Sequence, residues 1–367
     1  MIQSLSSCAV ACSMLLAAAD TRTIEEHYES GQIRSQREVK AGPGGQLLDH
    51  GTLRRWYEDG QLAAELEFRN GRQHGQARQW YASGEPKSTG QYRSGVPHGT
   101  FVTWSSSGDK RSEINYQDGA KHGVATRWFR ADRPESEIHY QNGQPHGKST
   151  HWYANGQEKH VQHFQEGVLE GEELRWYYTG QKFVETAYVA GLKHGPYLQY
   201  YLDGRIAEQL NYDHGRLSGH ATRFYPTGEK KDEGDYVDGR PDGQWTEWHG
   251  GEEHYRKSAW TYRDGKPHGV HEFWHKNGQK KMEMNFHRGL QHGPWSEWYE
   301  NGQLRGQGRY VRGVFDGRQR FWYEDGTPWA EHNYEEGLQH GRWIEWDETG
   351  AEVSQRRYHR GALIAER

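Results

Sequence analysis

Cysteine is nearly absent: two residues in 367, Cys8 and Cys12, both inside one N-terminal stretch. Beyond that stretch no thiol remains, which excludes a disulfide framework from the rest of the chain. Apolar residues are scarce at 32%, well below the globular norm. A chain this long would ordinarily suggest two or three globular domains, yet it lacks the side chains to fill a thick core. Basic excess is lacking too. The formal net charge of −5 argues against nucleic-acid binding, which normally shows a surplus of Lys and Arg. No long apolar run exists either, since Cys8–Ala19, at about 12 residues, is too short to cross a bilayer as a helix. No other window carries a helical period.

What the chain has is glycine (47 residues) and aromatics (13%) in a fixed register. In Gly289–Gly302, GLQHGPWSEWYENG, a Gly is followed by two variable residues, His-Gly, four more residues, Trp-Tyr, two polar residues and a closing Gly. Tyr310 follows, and the pattern restarts at Gly313. The second glycine falls at Gly51, Gly75, Gly99, Gly123, Gly147, Gly171, Gly195, Gly219, Gly243, Gly269, Gly293, Gly317 and Gly341. These thirteen copies are spaced by 24 residues except for one step of 26, from Gly243 to Gly269. Five residues beyond the glycine stands Trp in eleven copies, with Tyr200 and Phe224 in the other two. A fixed period in this range decides the fold, because short units that cannot bury a core alone bury one against their neighbours.

Both ends depart from the pattern. The apolar run ending in Ala17-Ala18-Ala19 before Asp20 reads as a secretory signal, residues 1–19, cleaved after the small residues. Residues 20–50 hold a degenerate repeat, with Tyr28-Glu29-Ser30-Gly31-Gln32 matching half a unit. Such an atypical end repeat is expected to cap the array of residues 51–367.

Punctuation within the unit gives its secondary structure. The Trp-Tyr segment runs into Asp59-Gly60, Asn155-Gly156, Asp203-Gly204, Asn277-Gly278, Asn301-Gly302 or Asp325-Gly326, and the next segment into turns such as Asn70-Gly71 and Asp118-Gly119. Asn-Gly and Asp-Gly between short aromatic runs predict tight hairpins with positive φ at both central residues. Each unit is thus two strands of about five or six residues. The expected fold is all-β, an elongated, solenoid-like array of about thirteen 24-residue β-hairpin repeats. It would rise about 10 Å per repeat, to a length of order 120 Å. Stacked repeat Trp rings are expected to form its spine, each worth about 3–5 kcal/mol if cut to Ala.

The motif Tyr-x-x-Gly-x-x-His-Gly-x-x-x-x-Trp-Tyr-x-x-Gly-Gln, from about Gly51 to Gly361, resembles the MORN repeat in the bacterial variant of the YwqK-type antitoxin family. The resemblance implies an array of β-hairpins, a binding role without catalysis, and, from the family's naming, capture of a partner toxin.

Several residues invite sharper readings. His271-Glu272-Phe273-Trp274-His275 spells the H-E-x-x-H of zinc proteases. That chemistry needs a helix; here Trp274 is the repeat Trp, so the run is a strand and its two His lie about 13 Å apart. The repeat His (His50, His74, His98, His122, His146, His194, His268, His292, His340) is replaced elsewhere by Glu170, Ser218, Asp242 and Asp316. What these residues share is a polar side chain able to bond nearby backbone in a turn; a pH-sensitive row is the alternative. Gly42-Pro43-Gly44-Gly45 is a loop rather than a phosphate cradle, since no helix follows. No pair among the 51 carboxylates is singled out by spacing. No metal, cofactor or catalytic residue is expected.

If the repeat Trp faces inward, its neighbour faces out. Tyr57, Tyr81, Tyr153, Tyr177, Tyr201, Tyr225, Tyr299 and Tyr323 then form an exposed aromatic row, the kind of surface that marks a contact. The two-residue insertion after Trp248, with His249, Glu252, Glu253, His254 and the extra aromatic Trp260, is expected to project as a longer loop and to form part of the same partner site. The function expected is a non-catalytic scaffold binding a protein partner, antitoxin- or immunity-like; a cell-surface or extracellular glycan is the alternative ligand. With the signal, the protein is periplasmic or extracellular; without it, cytoplasmic.

Overall fold

The computed structural model describes residues 21–367; the apolar run and its cleavage site lie outside them. The described residues form 34 β-strands and no α-helix. Two compact units result. One takes the chain up to Glu158 together with Phe164–Gly167, the other Lys159–His163 and Val168–Arg367. Within each, successive strands pair antiparallel with their sequence neighbours.

One repeat shows why. Strand Leu62–Arg69 turns at Asn70-Gly71 into strand Arg72–Trp80. Both turn residues are left-handed, φ 54° and 75°, so this is the type I′ hairpin that matches strand twist. The Gly supplies most of the signal, because the first position tolerates residues as different as Ala190, Arg288 and Glu336.

The second turn differs from expectation. At Tyr57–Gln61 the N–H of Gly60 donates to Tyr57 O at 3.0 Å and that of Tyr57 to Gln61 O at 2.8 Å. Only Gly60 is left-handed. This is a type I turn closed by a glycine bulge, not a pair of left-handed residues. Asp59 is there for its side chain: Oδ1 accepts the N–H of Gln61 at 3.0 Å. Asn155, Asp203, Asn277, Asn301 and Asp325 accept from the residue two on in the same way.

Many strands are also longer than five or six residues. Arg72–Trp80 runs nine residues straight through the repeat glycine. Gly75, at φ 111°, acts as a bulge, and the pairing register shifts between Leu66 and Phe68. A Cβ there would collide with the Glu67 carboxylate. In other copies the same kink splits the strand, as in Val96–Pro97 and Gly99–Trp104.

The two sheet faces bury different residues. On one, the side chain two places after the repeat glycine meets the Tyr or Phe that closes the hairpins. Phe101 lies 5.3 Å from Tyr92 and 5.1 Å from Tyr116, and Trp245 lies 5.0 Å from Tyr236. This position is the deepest in the fold, occupied by Leu53, Ala221, Trp245 and Trp295 but also by Glu173, His271 and Gln319. Where it is large, the facing strand is small: a Cβ on Gly90 would overlap Phe101, and one on Gly234 would overlap Trp245.

The repeat Trp is therefore not the fully buried spine. It is only partly buried in every copy and lies on the other face, beneath a lysine at Trp128, Trp248 and Trp298. Lys110 sits 5.4 Å over Trp128 while bonding Glu113 at 2.7 Å. Lys280 likewise lies over Trp298 and bonds Glu272 and Glu283.

Candidate functional site

The expected aromatic row does not face outward. Tyr57, Tyr81, Tyr153, Tyr177, Tyr201, Tyr225, Tyr299 and Tyr323 are partly buried, because the residue after Trp already starts the turn and the strand alternation stops there. Their hydroxyls reach along the array. Tyr57 donates to Trp80 O, Tyr81 to Trp104 O, Tyr201 to Phe224 O and Tyr225 to Trp248 O, at 2.7–2.9 Å. Tyr177, Tyr299 and Tyr323 repeat the bond at 2.9–3.0 Å. Even Tyr28 in the N-terminal repeat donates to Trp56 O at 2.8 Å.

The insertion resolves into parts with different roles. His249 stands in the Tyr position and places Nε2 3.2 Å from Trp274 O, doing the tyrosine's work. His275, the second His of the H-E-x-x-H string, does the same with Trp298 O at 2.9 Å. Trp260 is a core residue rather than a surface anchor. It pairs with Trp245 across the ladder and packs against the cluster of Leu210, Ala221 and Trp245. Its ring lies 4.5 Å from His271 and 5.1 Å from Phe273. What projects is residues 250–254. His249 N–H donates to Tyr255 O across the lengthened turn, Glu252 and Glu253 are exposed, and His254 stacks on Trp248 at 5.9 Å, 6° from parallel.

In four copies the repeat His is a clasp. His50, His74, His146 and His292 receive on Nδ1 the N–H of the left-handed turn residue 20 positions on, at 3.3–3.5 Å. Where the sequence substitutes Glu170, Asp242 or Asp316, a carboxylate takes the same N–H, at 2.7, 3.1 and 3.5 Å.

The strongly perturbed groups lie inside. His271, the first His of the string, is fully buried in strand Gly269–Trp274. Its Nε2 donates to Thr261 O at 3.0 Å, and burial lowers its pKa. Glu173, 2% exposed, is the sharpest case. Burial alone would raise its carboxyl, but hydrogen bonds from His160, Arg175 and Tyr188 outweigh it and hold the pKa at about 2. Arg175 donates through both Nε and Nη2, at 3.0 and 2.7 Å. These side chains belong to the sheet's packing rather than to a cleft.

Hairpin after hairpin tied to the next by hydroxyl and imidazole defines a β-hairpin repeat protein. Residues 49–70, 73–94, 193–214, 267–288, 291–312 and 315–336 match the MORN repeat variant, so the chain carries MORN-variant repeats at these six positions. No curated protein matches it. Among solved structures, a TcdB2-TccC3-Cdc42 crystal structure is 13% identical over 93% of this chain and 22% of that chain, with a TM-score of 0.17. TcdB2-TccC3 without its hypervariable C-terminal region is 11% identical over 93% and 20%, at 0.16. A Photorhabdus luminescens Tc holotoxin pore is 11% identical over 93% and 23%, at 0.16. The chain thus spans about a fifth of the length of these structures, and superposition this low carries no argument about its function.

Proposed function

We propose that the chain is a non-catalytic repeat scaffold that binds a protein partner, with the projecting acidic loop 250–254 in the contact. One observation supports this most. The residues that recur most often among the repeats, the Tyr hydroxyl, the clasping His and the turn Asn or Asp, bond backbone within the array. Recognition is then left to what varies between copies, and the loop is the largest such variation. In repeat arrays, insertions of this kind map to loops on the binding face. An antitoxin-like role and export rest on the family resemblance and on residues 8–19, and both are part of the reading.

The test places a photo-crosslinker at Glu252 in the native cell and identifies the captured protein by mass spectrometry. The loop is then shortened by Gly250 and Glu252. Unchanged thermal unfolding with binding weakened at least about tenfold, 1.4 kcal/mol, supports the reading. Equally tight binding by the shortened chain removes the loop from the site. A captured protein that is toxic when expressed alone, and harmless when co-expressed with this chain, supports the antitoxin role. Binding to a glycan array in place of protein would replace it.

A further inference from the structure

In the second unit the clasp brings together side chains that the sequence keeps 19 and 20 residues apart. In the repeat at His194 these are Asp213, the last residue of strand Ile206–Asp213, and His214, the left-handed turn residue at φ 43°. Asp213 Oδ1 lies 2.7 Å from His214 Nδ1 and 3.3 Å from His194 Nδ1. The two rings meet edge-on, 5.1 Å between centroids. One ligand atom from each of the three residues lies within 4.8 Å of the others.

His194 Nδ1, like that of His98, His122 and His340, is shielded from water and makes no hydrogen bond, whereas the same atom of His50, His74, His146 and His292 takes the turn N–H. In the tautomer protonated on Nε2, that Nδ1 and the facing carboxylate oxygen are two acceptors, and a cation between them would join both. The neighbouring Lys193 does not supply it. Its ammonium lies over the rings of Tyr197 and Tyr212, at 4.4 and 5.1 Å.

We propose that His194, Asp213 and His214 bind one divalent transition-metal ion of the zinc class. Two imidazole nitrogens and one carboxylate oxygen suit such an ion, and water completes its coordination. At metal–ligand distances of about 2.0–2.2 Å, tetrahedral ligand atoms stand about 3.3 Å apart. The His194–Asp213 pair has this spacing already, and His214 reaches it by a small turn of its exposed ring. A bound ion fastens the 213–216 turn to strand Leu192–Tyr200 and stabilises the folded chain by mass action. Elsewhere the set is incomplete. His268 and His287 have ring centroids 5.3 Å apart, but the turn residue there is Arg288, a cation.

The test titrates the full chain, stripped with chelator, with Zn²⁺ by calorimetry and with Co²⁺ by visible absorption. The expected result is one saturable ion per chain and an increase in urea midpoint with Zn²⁺. Asp213→Asn and His214→Ala should each weaken binding at least about tenfold without moving the metal-free midpoint. His287→Ala should leave binding unchanged. The Co²⁺ form should lack the near-ultraviolet thiolate band that ligation by Cys8 or Cys12 would bring. Absence of saturable binding, binding indifferent to Asp213→Asn and His214→Ala, or a thiolate band would each overturn the assignment.

Discussion

Glu173→Gln tests whether a buried charge is held by its neighbours or merely tolerated. The carboxylate sits at the deepest position of its strand, 2% exposed, with Arg175, His160 and Gln162 all directed at Oε1. Its pKa of about 2 in the folded chain against an ordinary 4.5 corresponds to about 3 kcal/mol favouring the ionised form. Arg175 is 46% exposed at its side chain, so water screens part of that and about 2 kcal/mol is expected at pH 7. The sign follows from a depressed carboxyl. The stabilisation is complete above pH 4.5, where the unfolded chain is also ionised, and is lost as pH falls toward 2. Urea unfolding of both proteins at pH 7, 5, 4 and 3, with hydrogen exchange over residues 158–190 to localise the effect, should show a gap of about 2 kcal/mol that narrows below pH 4.5. A Gln variant as stable as the parent at pH 7, or a gap that does not change with acid, would refute the account of this network.

Three further outcomes follow from the same packing. Gly234→Val should destabilise by about 1–3 kcal/mol through overlap with Trp245, and Trp245→Ala added to it should show strong non-additivity in a urea double-mutant cycle. Tyr57→Phe removes the donor to Trp80 O and should cost about 1 kcal/mol, read as faster amide exchange around residues 57–61. His271, held below the ordinary 6.5 by burial, stays neutral in the fold while the unfolded chain takes up a proton. Stability should therefore fall as pH drops below about 6.5, and His271→Gln, copying the buried Gln319, should flatten that slope in pH-dependent thermal melts.

The period, the strands and the hairpins were all legible, because turn chemistry and a 24-residue spacing leave few alternatives. The inside of the fold was less so. Trp is the most regular residue, and regularity suggested burial, but the deepest position is the least regular: Leu53, Glu173, His271 and Gln319 share it. Each is matched to a local partner rather than to a consensus. The facing pairs Gly90 with Phe101 and Gly234 with Trp245 were a readable sign of that position. The tyrosine row was misread because alternation was carried one residue past the strand's end. The His194 cluster was hidden for another reason. Repeat histidines were compared with one another at about 10 Å, whereas the turn 20 residues on folds back against the same ring.

The ties between hairpins also bear on heredity. A hydroxyl finds its carbonyl 23 residues on, and an imidazole or carboxylate its amide 20 residues on. Cutting out any 24 consecutive residues within a unit leaves every surviving donor facing an equivalent acceptor in the next copy. Unequal crossing-over between repeats would then shorten or lengthen the gene in steps that keep these backbone ties, provided the cut leaves matched core pairs such as Gly90 with Phe101 together. Even the 26-residue step conforms, since His249 still reaches the following Trp carbonyl. Copy number in this architecture can change by whole repeats where the core pairs match, and the backbone ties leave the remaining side chains room to diverge.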